Sequence, residues 1–271
     1  MMLISDIVLG ALQGLTEFLP ISSSGHLVIF HELFGLISGD DLTFDAILQL
    51  GTMLALLMTF RQDIWRLTIN GYKWLRGKKN PEINQDFKII LAILIGTIPA
   101  MILGVAIQSW METVFRHSWI VAIVLILGNC LFLYAEKKAT QKNNKIESYN
   151  GLLIGIFQCL ALFPGMSRSG ATISGGLILG LNRELAVRFS FLLSIPIITG
   201  SGLLKLIQII KQPSHTYGSM DLLIGFLVSF TVGFFAIKWL LKFLKTNRLY
   251  PFIWYRFGLA SVILIWAIVQ K

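Results

Sequence analysis

The chain has 271 residues, of which 55% are hydrophobic and only 14% carry a charge. Soluble domains carry about 25% charged residues, so this composition excludes an ordinary soluble protein and predicts an integral membrane protein. The net charge of +9 does not predict a nucleic-acid partner, because the lysines and arginines cluster in short loops beside apolar runs, where they set membrane orientation.

Two short apolar segments open the chain and flank a polar stretch, QGLTEFLPISSSGHL, at 13–27. A membrane-spanning helix needs about 20 apolar residues, which neither segment reaches. Half-length helices around a polar break predict a re-entrant hairpin, which is tolerated only where protein or water covers its backbone. We expect the two half-helices of this first hairpin at 3–19 and 25–37.

Three spanning helices follow the first hairpin, and the same order then repeats. The first three spans are predicted at 43–60, 88–107 and 118–135. A second hairpin, with half-helices at 150–163 and 171–181, flanks the stretch FPGMSRSGATISGG. The last three spans are predicted at 189–210, 220–241 and 252–269. The predicted fold class is therefore an all-α integral membrane protein that forms a single membrane domain over 1–271.

The basic loops predict how the chain is inserted, because such loops face the cytoplasm. Residues 61–88 hold seven lysines and arginines, whereas residues 1–42 hold none. The loops after the third and fifth spans are also basic. This distribution predicts that both termini lie outside, that the first hairpin enters from the outside, and that the second enters from the cytoplasm.

The two halves of the chain are related by a shift of 145 residues without gaps, which gives eleven identities in the 39 positions from Gly10 to Leu48. Each half contains one hairpin and three spans, an odd number, so the second half is inverted relative to the first. The sequence thus predicts an inverted-topology repeat, with repeat one at about 1–145 and repeat two at about 146–271. In such folds the site lies near the midplane, where the broken helices meet.

The first hairpin carries a carboxylate at membrane depth. Gln13 and Glu17 are four residues apart, so they share one face of the first half-helix. An ionisable group inside the membrane is a functional candidate by default. The alternative is a structural glutamate that is hydrogen-bonded inside the bundle.

The serine-rich stretch that follows can bind phosphate. Ser22, Ser23, Ser24 and Gly25 are expected to form the turn and the N-cap of the second half-helix, whose free N–H groups favour phosphate. His26 follows Ser23 by three residues and can share its face, and a nucleophile next to a base is one arrangement for displacement at phosphorus. The serines alone are also explained by close helix packing, which leaves the acid and the imidazole unexplained.

The second hairpin supplies a cation. Arg168, flanked by Ser167 and Ser169, lies at a depth where an arginine costs about 2.5–3.5 kcal/mol on insertion scales. Its planar guanidinium suits bidentate contact with phosphate oxygens. The alternative is a salt bridge to Glu17 that only holds the two hairpins together.

The repeat duplicates the scaffold but not the chemistry. Under the 145-residue shift, Glu17 meets Leu162, Ser23 meets Arg168 and His26 meets Ala171. A transporter that moves between two equivalent states has less need for this asymmetry, so the pattern favours an enzyme. The other histidines, His31, His117 and His215, are expected to be solvated or lightly packed.

With these motifs, the whole chain resembles the bacterial undecaprenyl-diphosphate phosphatase family, also called the bacitracin-resistance phosphatases. That family carries an (E/Q)xxxE motif, here Gln13 to Glu17, and then a serine-rich stretch ending in Gly-His, here 22–26. Its second motif, PGxSRSG, matches Pro164 to Gly170 and is followed by Thr172. The glutamine at the first motif position is one that the family pattern permits.

The resemblance implies an enzyme that removes the terminal phosphate of undecaprenyl diphosphate at the outer face of the bacterial plasma membrane. The product, undecaprenyl phosphate, carries glycan building blocks in peptidoglycan synthesis. It also implies a divalent cation, Mg²⁺ or Ca²⁺, held here by Glu17 with Gln13. The catalytic residues expected are Glu17, Ser23, His26 and Arg168. Those expected to bind substrate are Ser22, Ser24, Gly25, Ser167, Ser169, Gly170 and Thr172.

Several alternatives stay open on the sequence alone. Three nucleophiles are possible. The first is Ser23, activated by His26 or Glu17; the second is His26 itself; the third is water activated by Glu17. We favour Ser23. The competing class is a lipid-phosphate transporter or flippase, since inverted repeats with broken helices are typical of carriers. A structural membrane protein without a ligand is a weaker reading. The expected partners are a prenyl diphosphate lipid and the bilayer, with a homodimer as one option for the assembly.

Overall fold

The computed structural model describes residues 2–34, 41–114, 118–211 and 218–269, and within them the protein is helical with short connections. Eleven helices occur in the described residues. They are α1 (Met2–Phe18), α2 (Ser23–Phe34), α3 (Asp41–Thr59), α4 (Arg61–Leu75), α5 (Pro81–Val114), α6 (Ser118–Lys138), α7 (Ser148–Leu160), α8 (Arg168–Ile178), α9 (Arg183–Lys211), α10 (Ser219–Thr246) and α11 (Tyr250–Val269).

Five of the described helices are long and apolar enough to cross a membrane, and the bent pair α3–α4 raises the number to six if it counts as one span. Large apolar side chains cover the outer surface of these helices, for example Val105 at 75% and Val262 at 65% exposure. Apolar surface of that extent marks a face that contacts a membrane or another protein, and on helices long enough to span a bilayer it is consistent with lipid contact. The prediction of an all-α multi-pass membrane protein is therefore confirmed.

The prediction of a loop over 61–88 is wrong, because this region forms α4 and the start of α5. Leu67 and Gly71 face inward, whereas Trp65 and Tyr72 are exposed. This one-sided spacing is helical, but it is obscured in the sequence by the seven basic residues from which the orientation is predicted. Helix α4 turns away from α3 by 65°.

The hairpins have the predicted form of two short helices around a polar turn. They are α1 with α2 and α7 with α8, and α2 and α8 begin two or three residues earlier than expected. The predicted end of the second half-helix, at 37, lies outside the described residues. Each hairpin thereby presents the N-terminus of a helix close to its polar turn.

Glycines let each hairpin pack closely on the opposite half of the chain. Helix α1 packs along α10, and α7 packs along α5. A Cβ atom on Gly14 would lie 2.7 Å from the Ser229 carbonyl oxygen, and one on Gly155 would lie 2.3 Å from that of Gly96. Small residues at such crossings are typical of membrane helices. These contacts fix both hairpins within the bundle.

Candidate active site

The two hairpin turns share one local structure. Ser22 and Ser167 both adopt left-handed backbone conformations, with φ of 77° and 73°. Each serine hydroxyl accepts a hydrogen bond from a glycine N–H three residues on, Gly25 at 3.2 Å and Gly170 at 3.3 Å. Left-handed φ is unfavourable for serine, so both turns hold strained backbone, a feature that clusters at functional sites.

A cavity of about 220 Å³ lies between the two turns. Six of the residues predicted for the site line it, and they come from both hairpins: Glu17, Ser22, Ser23, Ser24, Ser167 and Arg168. Three polar residues that the sequence analysis did not assign to the site also line it: Thr16, Gln49 and Gln158. Of these, only Gln158 had a signal in the sequence, because it is the repeat counterpart of Gln13.

Glu17 is the centre of the polar contacts. One of its carboxylate oxygens, Oε2, accepts hydrogen bonds from Gln13 Nε2 at 3.0 Å and from the Ser23 hydroxyl at 2.8 Å. The other, Oε1, pairs with the Arg168 guanidinium. The Glu17 side chain is 7% exposed and that of Arg168 is 18% exposed. The carboxylate is thus shielded from solvent and paired, while the guanidinium keeps access to the cavity.

His26 does not join this cluster. Its Nδ1 lies 2.7 Å from the Ser22 carbonyl oxygen and its Nε2 lies 2.7 Å from the Tyr255 hydroxyl. A carbonyl can only accept, so Nδ1 carries a hydrogen, and in a neutral ring Nε2 then accepts the tyrosine proton. The expected contact between Ser23 and His26 is not formed, because the Ser23 hydroxyl donates to Glu17 and both imidazole nitrogens are engaged elsewhere.

The remaining predicted binding residues do not line the main cavity. They are Gly25, Ser169, Gly170 and Thr172. Thr172 Oγ1 donates to the Arg168 carbonyl oxygen at 2.8 Å and lies 2.5 Å from the Ser190 hydroxyl. Ser169 lines a narrow recess that it shares with Glu17, Arg168 and Phe191, rather than the main cavity. The backbone N–H groups of Gly25 and Gly170 already donate hydrogen bonds to the hydroxyls of the capping serines, Ser22 and Ser167. A direct substrate contact by these residues stays a prediction.

Of the other three histidines, the structure describes only the helical position of His31. His117 and His215 lie outside the described residues. His31 is in α2, as expected.

Glu17 and Gln13 carry oxygen atoms of the type that a hard divalent cation prefers. Gln13 is 4% exposed, and its Oε1 has no hydrogen-bond partner among the described residues. The Gln13 amide nitrogen, not its oxygen, faces Glu17 at 3.0 Å, so the Gln13 amide would have to turn over to bring its oxygen to a cation held by Glu17. The described residues contain no group of three or more His, Cys, Asp or Glu that could hold a metal alone. Mg²⁺ commonly uses one or two protein oxygens and completes its shell with water and substrate phosphate.

Comparisons with known proteins agree with the motifs. Residues 6–262 match the family profile of bacitracin resistance protein BacA. Undecaprenyl-diphosphatase 1 of Corynebacterium jeikeium is 43% identical over 263 residues, which cover 95% of this chain and 92% of that protein. The undecaprenyl-diphosphatase of Micrococcus luteus is 40% identical over 264 residues, which cover 96% of this chain and 95% of that protein. With these matches over nearly its whole length, the chain belongs to the bacitracin resistance protein BacA family.

Proposed function

We propose that this protein is an undecaprenyl-diphosphate phosphatase that releases the terminal phosphate and regenerates undecaprenyl phosphate for cell-wall synthesis. The observation that carries the proposal is the single cavity in which Glu17, Ser23 and Arg168 meet from two separate hairpins. An acid, a hydroxyl and a guanidinium in a shielded cleft are what phosphoryl transfer requires, since it depends on positioning and electrostatics. The names of the relatives support the same substrate.

The size of the cavity indicates which part of the substrate it holds. Pockets for drug-sized ligands measure about 300–1,000 Å³, and this cavity is smaller at about 220 Å³. It suits the diphosphate head alone, so the prenyl tail stays in lipid between the helices. Arg168 and the N-termini of α2 and α8 then bind the phosphate oxygens.

The contacts of Glu17 favour Ser23 as the nucleophile. The Ser23 oxygen attacks the terminal phosphorus while its proton passes to Glu17, which already accepts that hydrogen bond at 2.8 Å. The phosphoanhydride bond breaks, and undecaprenyl phosphate leaves with its added charge next to Arg168. Water then hydrolyses the phosphoserine: its oxygen bonds to phosphorus, one of its protons returns to Ser23, and Glu17 releases its proton to solvent, giving inorganic phosphate and the free enzyme.

Two other nucleophiles remain to be separated by experiment. His26 attacking directly would first have to leave Ser22 and Tyr255, and water activated by Glu17 would displace Ser23 from the carboxylate. Radiolabelled terminal phosphate distinguishes the three: an acid-stable phosphoenzyme indicates serine, an acid-labile one indicates histidine. Absence of label in a quench fast enough to catch a turnover indicates water and contradicts the serine mechanism.

Glu17 would hold the divalent cation, Mg²⁺ or Ca²⁺, and Gln13 would assist it through the carbonyl oxygen that has no partner among the described residues. When bound, the cation would neutralise charge on the phosphate oxygens. The guanidinium of Arg168 would move from Glu17 to the substrate phosphate as Glu17 accepts the proton of Ser23.

The same proposal includes an inverted repeat and an outward-facing site. The similar turns at Ser22 and Ser167, and the reciprocal packing of α1 on α10 and α7 on α5, support a two-fold relation between residues of about 1–145 and 146–271. The basic segments at 61–88 and 137–145 support a cytoplasmic location for the opposite side of the protein. We place the site on the outer side of the plasma membrane.

One assay separates this enzyme from a lipid-phosphate transporter, the competing function favoured by the broken helices. Purified protein in detergent is given undecaprenyl or farnesyl diphosphate, with and without EDTA, and inorganic phosphate is measured. The proposal predicts release that EDTA abolishes and Mg²⁺ restores. Movement of a labelled prenyl phosphate across liposomes without any phosphate release would favour the transporter instead.

A further inference from the structure

Arg256 is a fully buried arginine in α11, at 0% exposure. Its Nε donates to Asn129 Oδ1 at 2.8 Å, its Nη1 to the Met166 carbonyl at 3.0 Å, and its Nη2 to the carbonyls of Leu125 at 3.0 Å and Gly165 at 3.1 Å. Among the described residues no carboxylate pairs with it. A buried charge in a membrane protein is expensive and marks function by default, and this one binds only neutral oxygens.

Two of these carbonyls belong to the turn that places Arg168. Gly165 has a φ of 104° and Ser167 one of 73°, and Arg168 is the first residue of α8. The ring of Phe132 joins Arg256 to the same helix. The guanidinium carbon lies 4.6 Å from the ring centre, and a Cβ on Gly170 would lie 1.9 Å from the ring. The guanidinium of Arg256 therefore fixes the turn before Arg168.

The neighbouring residue reaches the other hairpin. The Tyr255 hydroxyl lies 2.7 Å from His26 Nε2, and the two rings stack with centres 5.7 Å apart and planes 7° from parallel. His26 in turn donates to the Ser22 carbonyl, in the turn before Ser23. Tyr255 is thus linked through His26 to the backbone that places the proposed nucleophile.

We propose that the adjacent residues Tyr255 and Arg256 are positioning residues that hold the two hairpin turns in register from a single helix. This inference rests on the proposed function. Neither residue lines the cavity. Each holds a carbonyl in a strained turn, Arg256 directly and Tyr255 through His26. Reacting groups misplaced by about 1 Å can lose 100-fold in rate, so the expected signature is a loss of kcat rather than of substrate binding.

Arg256→Lys tests the second hairpin, because lysine keeps the charge but cannot reach four acceptors at once. Arg183→Lys is the matched control, since Arg183 is also buried but pairs with Glu136. We expect Arg256→Lys to lower kcat for phosphate release about 100-fold with KM within about threefold of wild type. Hydrogen–deuterium exchange should rise in peptides over 160–172 and not in those over 183–211. A kcat close to that of Arg183→Lys, or a rise in exchange across the whole chain, overturns the proposal.

Tyr255→Phe tests the first hairpin and is the milder change, since it removes one hydroxyl from a half-exposed ring. Tyr134→Phe, on the similarly exposed Tyr134 of α6, is its control. We expect about a tenfold lower kcat for Tyr255→Phe, and no further loss when it is added to His26→Asn, because it acts through His26. Full activity of Tyr255→Phe, or losses that multiply, contradicts the inference. If the wild type releases no phosphate, the proposed function fails, and the exchange comparison still tests Arg256.

Discussion

Glu17→Gln isolates the role of the carboxylate from its role in packing. Glu17 accepts three contacts, from Gln13, Ser23 and Arg168. A glutamine keeps the shape, and its oxygen can face Arg168. Its new NH₂ group would then face Gln13, whose Oε1 has no partner among the described residues and can turn to accept it. The Ser23 hydroxyl can rotate likewise. The variant should therefore fold, with a stability loss of about 1–3 kcal/mol from the weaker contact with Arg168.

The catalytic loss should be larger than the structural one. General base catalysis contributes about 10²–10⁴-fold in rate. We expect kcat to fall by that amount, which is about 3–5.5 kcal/mol in activation free energy, because Ser23 no longer donates to a base.

The assay is phosphate release from farnesyl diphosphate in detergent, with thermal unfolding measured on the same preparation. Glu147→Gln is the control, since Glu147 is a 39% exposed carboxylate that pairs with Lys88. If Glu17→Gln keeps more than about a tenth of the wild-type kcat, the assignment of Glu17 as base is refuted.

Three further predictions concern single positions. Ser23→Ala should lower kcat at least about 100-fold and abolish any acid-stable phosphoenzyme; an unchanged rate excludes a serine nucleophile. Gln13→Glu should stay active and reach half-maximal activity at a lower Mg²⁺ concentration, because a second carboxylate joins Glu17; an unchanged titration would argue against a cation there. Gly170→Ala should lower the stability of the fold by about 1–3 kcal/mol, because its Cβ would overlap Phe132. Gly258→Ala is the control and should not destabilise the fold, because the space around Gly258 is open. Equal melting temperatures of the two variants would contradict this packing.

The sequence predicts those residues of the site whose polar side chains are unusual at the depth of the membrane interior. Glu17 and Arg168 are conspicuous in apolar surroundings, and the Pro, Gly and Ser residues beside them end one helix and cap the next. The sequence predicts a Glu17–Arg168 pair as the structural alternative, one that need not exclude function because the two can stay paired until an anionic substrate arrives. In the structure the pair also faces the cavity, so holding the hairpins together and facing a substrate are compatible.

What the sequence does not predict depends on partners that are distant or carry no side-chain signal. Tyr255 is 229 residues from His26. Three of the four acceptors of Arg256 are backbone carbonyls, which every residue has, so no spacing rule reveals them. The sequence therefore predicts a contact of His26 with Ser23, its near neighbour, rather than with Tyr255. Helix α4 is not predicted because its basic residues are typical of an orienting loop and conceal its helical spacing.

The central claim is that the two hairpins form one phosphate-cleaving site, and Arg168→Ala tests it most directly. Wild type and variant are purified in the same detergent, shown to fold alike, and given undecaprenyl diphosphate with Mg²⁺. The account predicts phosphate release by the wild type and none above background by Arg168→Ala. Near-normal turnover by the variant would mean that the second hairpin is not part of the site.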